Sequence, residues 1–208
     1  MNLSNFLLID AGLAIAVIPF LYLLNNKNKK AYFFYGSNKD ELLKKTSINL
    51  PDKEKLLGLE KIAWSKGSAI QFDSLIGDWK FVSIRGKDTN NEDSIFSSLL
   101  RVFSAKLKLK KNFSTQNSNF FSISTSIEFG LFSLKFSGSG YLEGKQPLLP
   151  FCFNLIEFSS GSKVLLSSSI KEPEVKGKTY FALIAADESE GWLSARGQGG
   201  SLILWVKA

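Results

Sequence analysis

Residues 120–137 read FFSISTSIEFGLFSLKFS. Phe121, Ile123, Thr125, Ile127 and Phe129 share one phase of a two-residue period, and Ser122, Ser124, Ser126 and Glu128 share the other. Gly130 breaks the run; Phe132, Leu134 and Phe136 then resume opposite Ser133, Lys135 and Ser137. Side chains of an extended chain alternate between two sides, so this stretch predicts two strands, each with one apolar and one wet face, joined as a hairpin. A helical period would scatter the same phenylalanines around the axis.

The pattern extends in both directions. Upstream, Ala105, Leu107 and Leu109 alternate with Lys106, Lys108 and Lys110, and residues 78–85 place Trp79, Phe81 and Ser83 on one face. The outward lysines read as a solvated strand face or as a contact for an anionic surface. Downstream, strands are expected over 151–158, 163–170, 178–186, 191–196 and 201–207. Gly138, Gly140 and Gly144 mark bends, and Pro147, Pro150 and Pro173 fall in connections. Eight or nine short strands separated by turn residues imply an all-β fold over residues 72–208, an antiparallel meander closed into a barrel. No strand–helix alternation supports a nucleotide-binding α/β fold. Gly197, Gly199 and Gly200 form a tight turn without the lysine and following helix that a phosphate loop requires. A short lid helix is expected over 94–103, from Ile95, Leu99 and Val102 on one side.

The first 71 residues differ in kind. Residues 6–24, FLLIDAGLAIAVIPFLYLL, rise about 1.5 Å each to span roughly 28 Å, close to the thickness of a bilayer core. Lys27, Lys29 and Lys30 follow, so residues 1–30 are expected to be a membrane anchor with a basic flank and the C-terminal domain on the cytoplasmic side. A buried or interfacial helix is the competing reading of the same run. Residues 31–71 form a connector. It carries an aromatic cluster at 31–35, a helix start capped by Asn38 or Ser37 with Asp40 and Glu41 early and Lys44 and Lys45 late, and a second helix opening at Pro51. That second helix has Asp52 and Glu54 in its first turn and Leu56, Leu57 and Leu59 as its apolar side, and is expected to fade near Gly58 or Ala63.

Composition narrows the chemistry. The chain has no histidine and one cysteine, Cys152, which rules out histidine-based triads, histidine-bearing metal sites, four-cysteine zinc sites and internal disulfides. No cofactor or metal is expected. Asp73, Asp78, Glu128, Glu143 and Glu157 could serve acid–base chemistry, but no pairing among them is visible in the sequence. The net charge of +7 favours anionic partners. The Lys106–Lys111 strand lacks exposed aromatics for stacking bases, so a nucleic-acid partner is not expected.

Two stretches resemble a known family. LIGDWKFV at 75–82 is similar to the opening strand of the plastid lipid-associated proteins, or fibrillins, and GWLSARGQGGSLIL at 191–204 resembles their C-terminal arginine–glycine strand-turn-strand. The resemblance covers residues 72–207. It implies a lipocalin-like barrel, association with photosynthetic (thylakoid) membranes, and binding of lipids, quinones or carotenoids. The family's aspartate-bearing stretch before the arginine is replaced here by Trp192-Leu193-Ser194-Ala195, and Arg196 is the one polar position the resemblance carries over.

The expectation is therefore a non-enzymatic, membrane-anchored module. Its candidate ligand-binding residues are Trp79, Phe81, Leu107, Phe121, Ile123, Phe129, Phe132, Leu134, Phe136 and Arg196, with an apolar small molecule and the lipid membrane as partners. The alternative is a filled barrel that supports a membrane protein complex. A core packed by its own side chains beside an exposed apolar patch would favour the alternative.

Overall fold

The computed structural model describes residues 49–86, 100–101, 104–112, 120–144, 147–170 and 179–208. The anchor at 6–24, its lysine flank, the aromatic cluster at 31–35, the helix start at 38–45 and most of the lid helix at 94–103 lie outside the described residues. Of that last stretch Leu100 and Arg101 are described, and both are helical.

Among the described residues, two helices precede nine strands: α1 Lys53–Lys66, α2 Phe72–Leu75, β1 Gly77–Arg85, β2 Lys106–Lys111, β3 Phe120–Phe129, β4 Phe132–Tyr141, β5 Leu148–Ser160, β6 Lys163–Ser169, β7 Thr179–Asp187, β8 Trp192–Gly197 and β9 Leu202–Lys207. The sheet order is β4-β3-β2-β1-β9-β8-β7-β5-β6, with β4 also paired to β5. Every pairing is antiparallel. The β4–β5 contact closes β4-β3-β2-β1-β9-β8-β7-β5 into a barrel-like ring, and β6 hangs from β5 outside it. The hairpin expected from residues 120–137 forms, with Thr125 opposite Phe136 and Phe129 opposite Phe132.

Two apolar clusters hold the ring. One fills the inside: Trp79, Phe81, Leu107, Leu109, Phe121, Ile123, Leu149, Phe151, Leu183, Leu193, Ala195, Ile203 and Trp205, with Leu75 and Leu100 joining it. The other lies between α1 and the outer face of the sheet, from Leu56, Ile184, Trp192, Leu202, Leu204 and Val206. Strands β8 and β9 are thus buried on both faces, which is why 192–195 and 202–206 are nearly continuous apolar runs.

α1 does not open at Pro51: Asp52 is its extended cap, its carboxylate accepting from the Lys55 N–H at 2.8 Å, and the first helical residue is Lys53. It runs through Gly58 and Ala63 to Lys66 instead of fading there. Gly58 costs the helix about 1 kcal/mol relative to alanine, a loss the burial of Leu56 and Ala63 on the sheet outweighs. Of the expected apolar side Leu56 is fully buried and Leu59 packs on the cluster margin; Leu57 is half-exposed.

Two further expectations are corrected. Pro150 is not in a connection but is the third residue of β5. Its carbonyl lies toward Gly140 of β4, and the β4 ladder begins only at Phe151, so the missing N–H breaks no rung there. Ser83 does not share a face with Trp79 and Phe81. A bulge between Phe81 and Ser83 sets Phe81 opposite Trp205, inside, and Ser83 opposite Leu204, outside.

Curvature is concentrated where β4 crosses β5. A Cβ on Gly138 would stand 1.8 Å from the Cys152 carbonyl oxygen, and one on Gly140 would stand 2.7 Å from the Phe121 ring. Only glycine permits that approach. The register slips at the same place, Ser137 pairing with Leu155 and Gly138 with Phe153, so Asn154 is the extra residue of a bulge. On one side of it β5 pairs with β7, on the other with β6. The outer halves of β3, β4 and β5, together with β6, thereby form a wing on the ring.

Candidate functional site

The ten positions expected to line a ligand site do not converge. Trp79, Phe81, Leu107, Phe121 and Ile123 are in the inner cluster. Trp79 is fixed there by its indole N–H, which donates to the Leu75 carbonyl at 2.9 Å. Lys207 lies over its ring, 5.6 Å from the centroid. Phe136 is buried against Phe153, with ring centroids 5.7 Å apart.

These residues meet one another across the barrel. Phe136, Phe153, Phe151, Phe181 and Trp205 form a chain of ring contacts, at 5.3 Å from Phe153 to Phe151, 5.0 Å from Phe151 to Phe181 and 5.5 Å from Phe181 to Trp205. Phe72 of α2 adds a 6.0 Å contact on Phe121. Trp79, Trp205, Phe121, Leu109, Ile123, Leu149 and Leu193 each keep 1–2 % of their surface accessible. These side chains are in contact with neighbours over nearly all of their surface, whereas Phe153 and Phe181 in the ring chain are half-buried. Leu149, Phe151, Phe181 and Trp205 escaped the sequence-level selection. Each lies in a largely apolar strand, where alternation does not say which face turns inward.

Arg196 is not inside the barrel. It pairs with Ala182 across β7–β8, on the outer face. Its guanidinium grips Glu60 of α1 with two bonds, Nε to Oε1 and Nη2 to Oε2, the latter 2.6 Å. Its Nη1 donates to the Gly200 carbonyl at 2.5 Å. Both side chains are largely buried. Arg196 therefore ties α1 to the barrel and pins the β8–β9 turn. Glu60 escaped notice because nothing local in α1 distinguishes it from the exposed Glu54.

Phe129, Phe132 and Leu134 lie on the wing. Phe129 and Leu134 are half-exposed, and Phe132 is 43 % exposed, stacked on Phe158 with centroids 5.6 Å apart. They lie at the turn end of the hairpin, farther from the slip at Gly138 than the buried Phe136, beside the part of β5 that pairs with β6 and not with β7. Leu131, Val164, Leu165 and Leu166 are also exposed there.

The outward lysines of β2 meet carboxylates. Lys106 binds Glu128 at 2.8 Å and Lys108 binds Asp78 at 2.8 Å, while Lys111, in the phase of Leu107 and Leu109 at the strand end, pairs with Asp73 of α2. These exposed pairs contribute little stability, but Glu128 and Asp78 neutralise two of the three lysines of the outward row. At the β7–β8 turn the Ser189 hydroxyl and the Ser189 and Glu190 N–H groups donate to Asp187. The Ser189 hydroxyl bond, chiefly, holds that carboxyl below the ordinary carboxylate range. The Asn49 N–H donates to Glu190 at 3.0 Å, so the chain enters beside this turn.

Among the described residues no three His, Cys, Asp or Glu side chains cluster as metal ligands, and no helix is long and apolar enough to cross a membrane. No protein-family model matches the chain, and no curated protein matches it at a significant level.

Proposed function

We propose that this protein is a non-enzymatic module held at a membrane, in which the barrel is a filled scaffold and binding takes place on its outer surface. The observation that carries this reading is the interior. The positions best suited to an apolar ligand are occupied by one another, from Trp79 and Phe121 to the ring chain ending at Trp205. The tether is the apolar stretch at 6–24, with Lys27, Lys29 and Lys30 on the cytoplasmic side. A lipocalin-like, fibrillin-type barrel at a photosynthetic membrane is the family reading we attach to it. The closed antiparallel meander and the strand-turn-strand around Arg196 support that reading. Its partners are then a lipid surface or a membrane protein complex, not a molecule enclosed in the barrel.

Native mass spectrometry of the full chain in mild detergent, challenged in turn with a quinone, a carotenoid and a galactolipid, tests this. The expected spectrum is the unliganded mass throughout. A one-to-one adduct that survives detergent removal, and that is lost on replacing Phe151 or Phe181, would overturn it.

A further inference from the structure

We propose that the tip of the wing is a lipid-inserting element, five apolar side chains that enter the interface of an anionic bilayer. The proposal rests on the reading of the barrel as a surface-acting module and names what that surface meets.

The tip is built from two hairpin turns. The β3–β4 turn, at Gly130 and Leu131, and the β5–β6 turn, at Gly161 and Ser162, are tied by a backbone bond from the Gly161 N–H to the Leu131 carbonyl at 2.6 Å. They therefore present one surface. On it stand Leu131, 76 % exposed, Leu166, 61 % exposed, and Phe132, Val164 and Leu165. Isolated exposed apolar residues need no explanation, but five on two tied hairpins form a patch that does.

Three observations select a bilayer over a protein groove. First, the apolar side chains do not share a face. Leu166 stands opposite Phe158, in the cross-strand row that runs through Leu134 to Ile127 and the core. Val164 stands opposite Ser159, on the other face, and the register slip makes Leu165 the bulged residue between them. A groove covers one face of a strand, whereas a fluid interface surrounds a tip on all sides. Second, no Asp or Glu occurs at 129–134 or 158–170, and Lys163 lies in the second of these stretches. Glu157, just before it, is paired with Lys135 at 3.1 Å. A tip with apolar, serine and lysine side chains and no carboxylate complements anionic headgroups. Third, the β6 bulge and Lys163 blunt that edge against strand addition, which disfavours a second copy. Insertion is shallow, about 5–10 Å, because backbone groups on a strand edge must keep headgroup or water partners. The chain enters at the opposite end, beside Glu190, but the residues from 25 to 48 could reach well past the barrel if extended, at roughly 3.3 Å each.

The test uses the full chain in vesicles of phosphatidylcholine with phosphatidylglycerol, carrying a Cys152→Ala change so that one introduced thiol holds an environment-sensitive fluorophore. Probes at Leu131→Cys and Leu165→Cys are expected to shift to the blue and to be quenched by a shallow lipid-borne nitroxide. A probe at Ser189→Cys, at the other end, is expected to show neither. Adding Leu166→Asp to the Leu165→Cys protein should reduce the inserted fraction about tenfold, the partition worth of one leucine. Because Leu166 is exposed, the fold is not at stake. Equal quenching at both ends overturns the proposal. So does a tip probe that responds only when membrane proteins are present, or one that stays in water while the tether holds the chain. A ligand adduct in the mass spectrum would instead strike the filled-scaffold reading, so the two failures are separable.

Discussion

Replacing Arg196 by alanine removes the pin between α1 and the barrel and leaves the largely buried Glu60 carboxylate without its partner. The Arg196 and Glu60 side chains are 16 % and 12 % exposed. Breaking a buried ion pair by removing one member costs about 3–5 kcal/mol, and the residual exposure, which lets some water reach Glu60, puts this case near the lower end, about 3 kcal/mol. For a domain of this size that is a fall in Tm of roughly 6–12 °C. Because much of the loss is the stranded charge, the double variant Glu60→Leu/Arg196→Leu should recover to within about 1 kcal/mol of the parent. The assay is urea unfolding of the full chain in detergent, followed by tryptophan fluorescence, for the parent, Arg196→Ala, and the cycle of Glu60→Leu, Arg196→Leu and their double variant. A coupling energy of about 2 kcal/mol or more is expected. A coupling near zero, or an Arg196→Ala variant of parental stability, would refute the argument that this pair fastens the helix and return Arg196 to the list of binding residues.

The remaining predictions concern curvature and pH. Gly138→Ala should destabilise the domain by about 3 kcal/mol or more, since the new methyl meets the Cys152 carbonyl and β4 must separate from β5. Gly130→Ala, in open space but with φ +58°, should cost only about 1–2 kcal/mol; equal thermal shifts for the two would contradict the close-approach account. Asp187 has a lowered folded-state pKa, so its contribution to stability is present above its unfolded pKa and is lost as pH falls through the folded value. Stability of the Asp187→Asn variant should therefore fall less than the parent's on acidification, and a carboxyl NMR titration should find the Asp187 midpoint below the ordinary range; a midpoint at or above that range would dismiss the role of Ser189 and Glu190.

The strands themselves were legible from residues 120–137 and their neighbours, because a two-residue period of apolar and polar side chains has one physical solution when one side must leave water. The all-β class, a strand number of eight or nine, and the inward phase of Leu107, Leu109, Phe121 and Ile123 followed from residue order alone. So did the exclusion of histidine chemistry. Which inward residues lie inside the ring did not follow. Phe132 and Leu134 have the same alternation as Phe136, but they lie nearer the hairpin turn, beside the part of β5 that pairs with β6 and not with β7. Arg196 could not be placed either, because Glu60 is 136 residues away in the chain and α1 lies against β7, β8 and β9, a contact that chain order does not reveal. Bulges at β1, β5 and β7 shift later side chains between faces, and a single extra residue leaves no mark in a pattern of apolar strands buried on both sides. Local alternation thus determined the strands and their wet and dry faces, whereas closure of the ring decided which dry face became core, which met α1, and which was left bare at the wing.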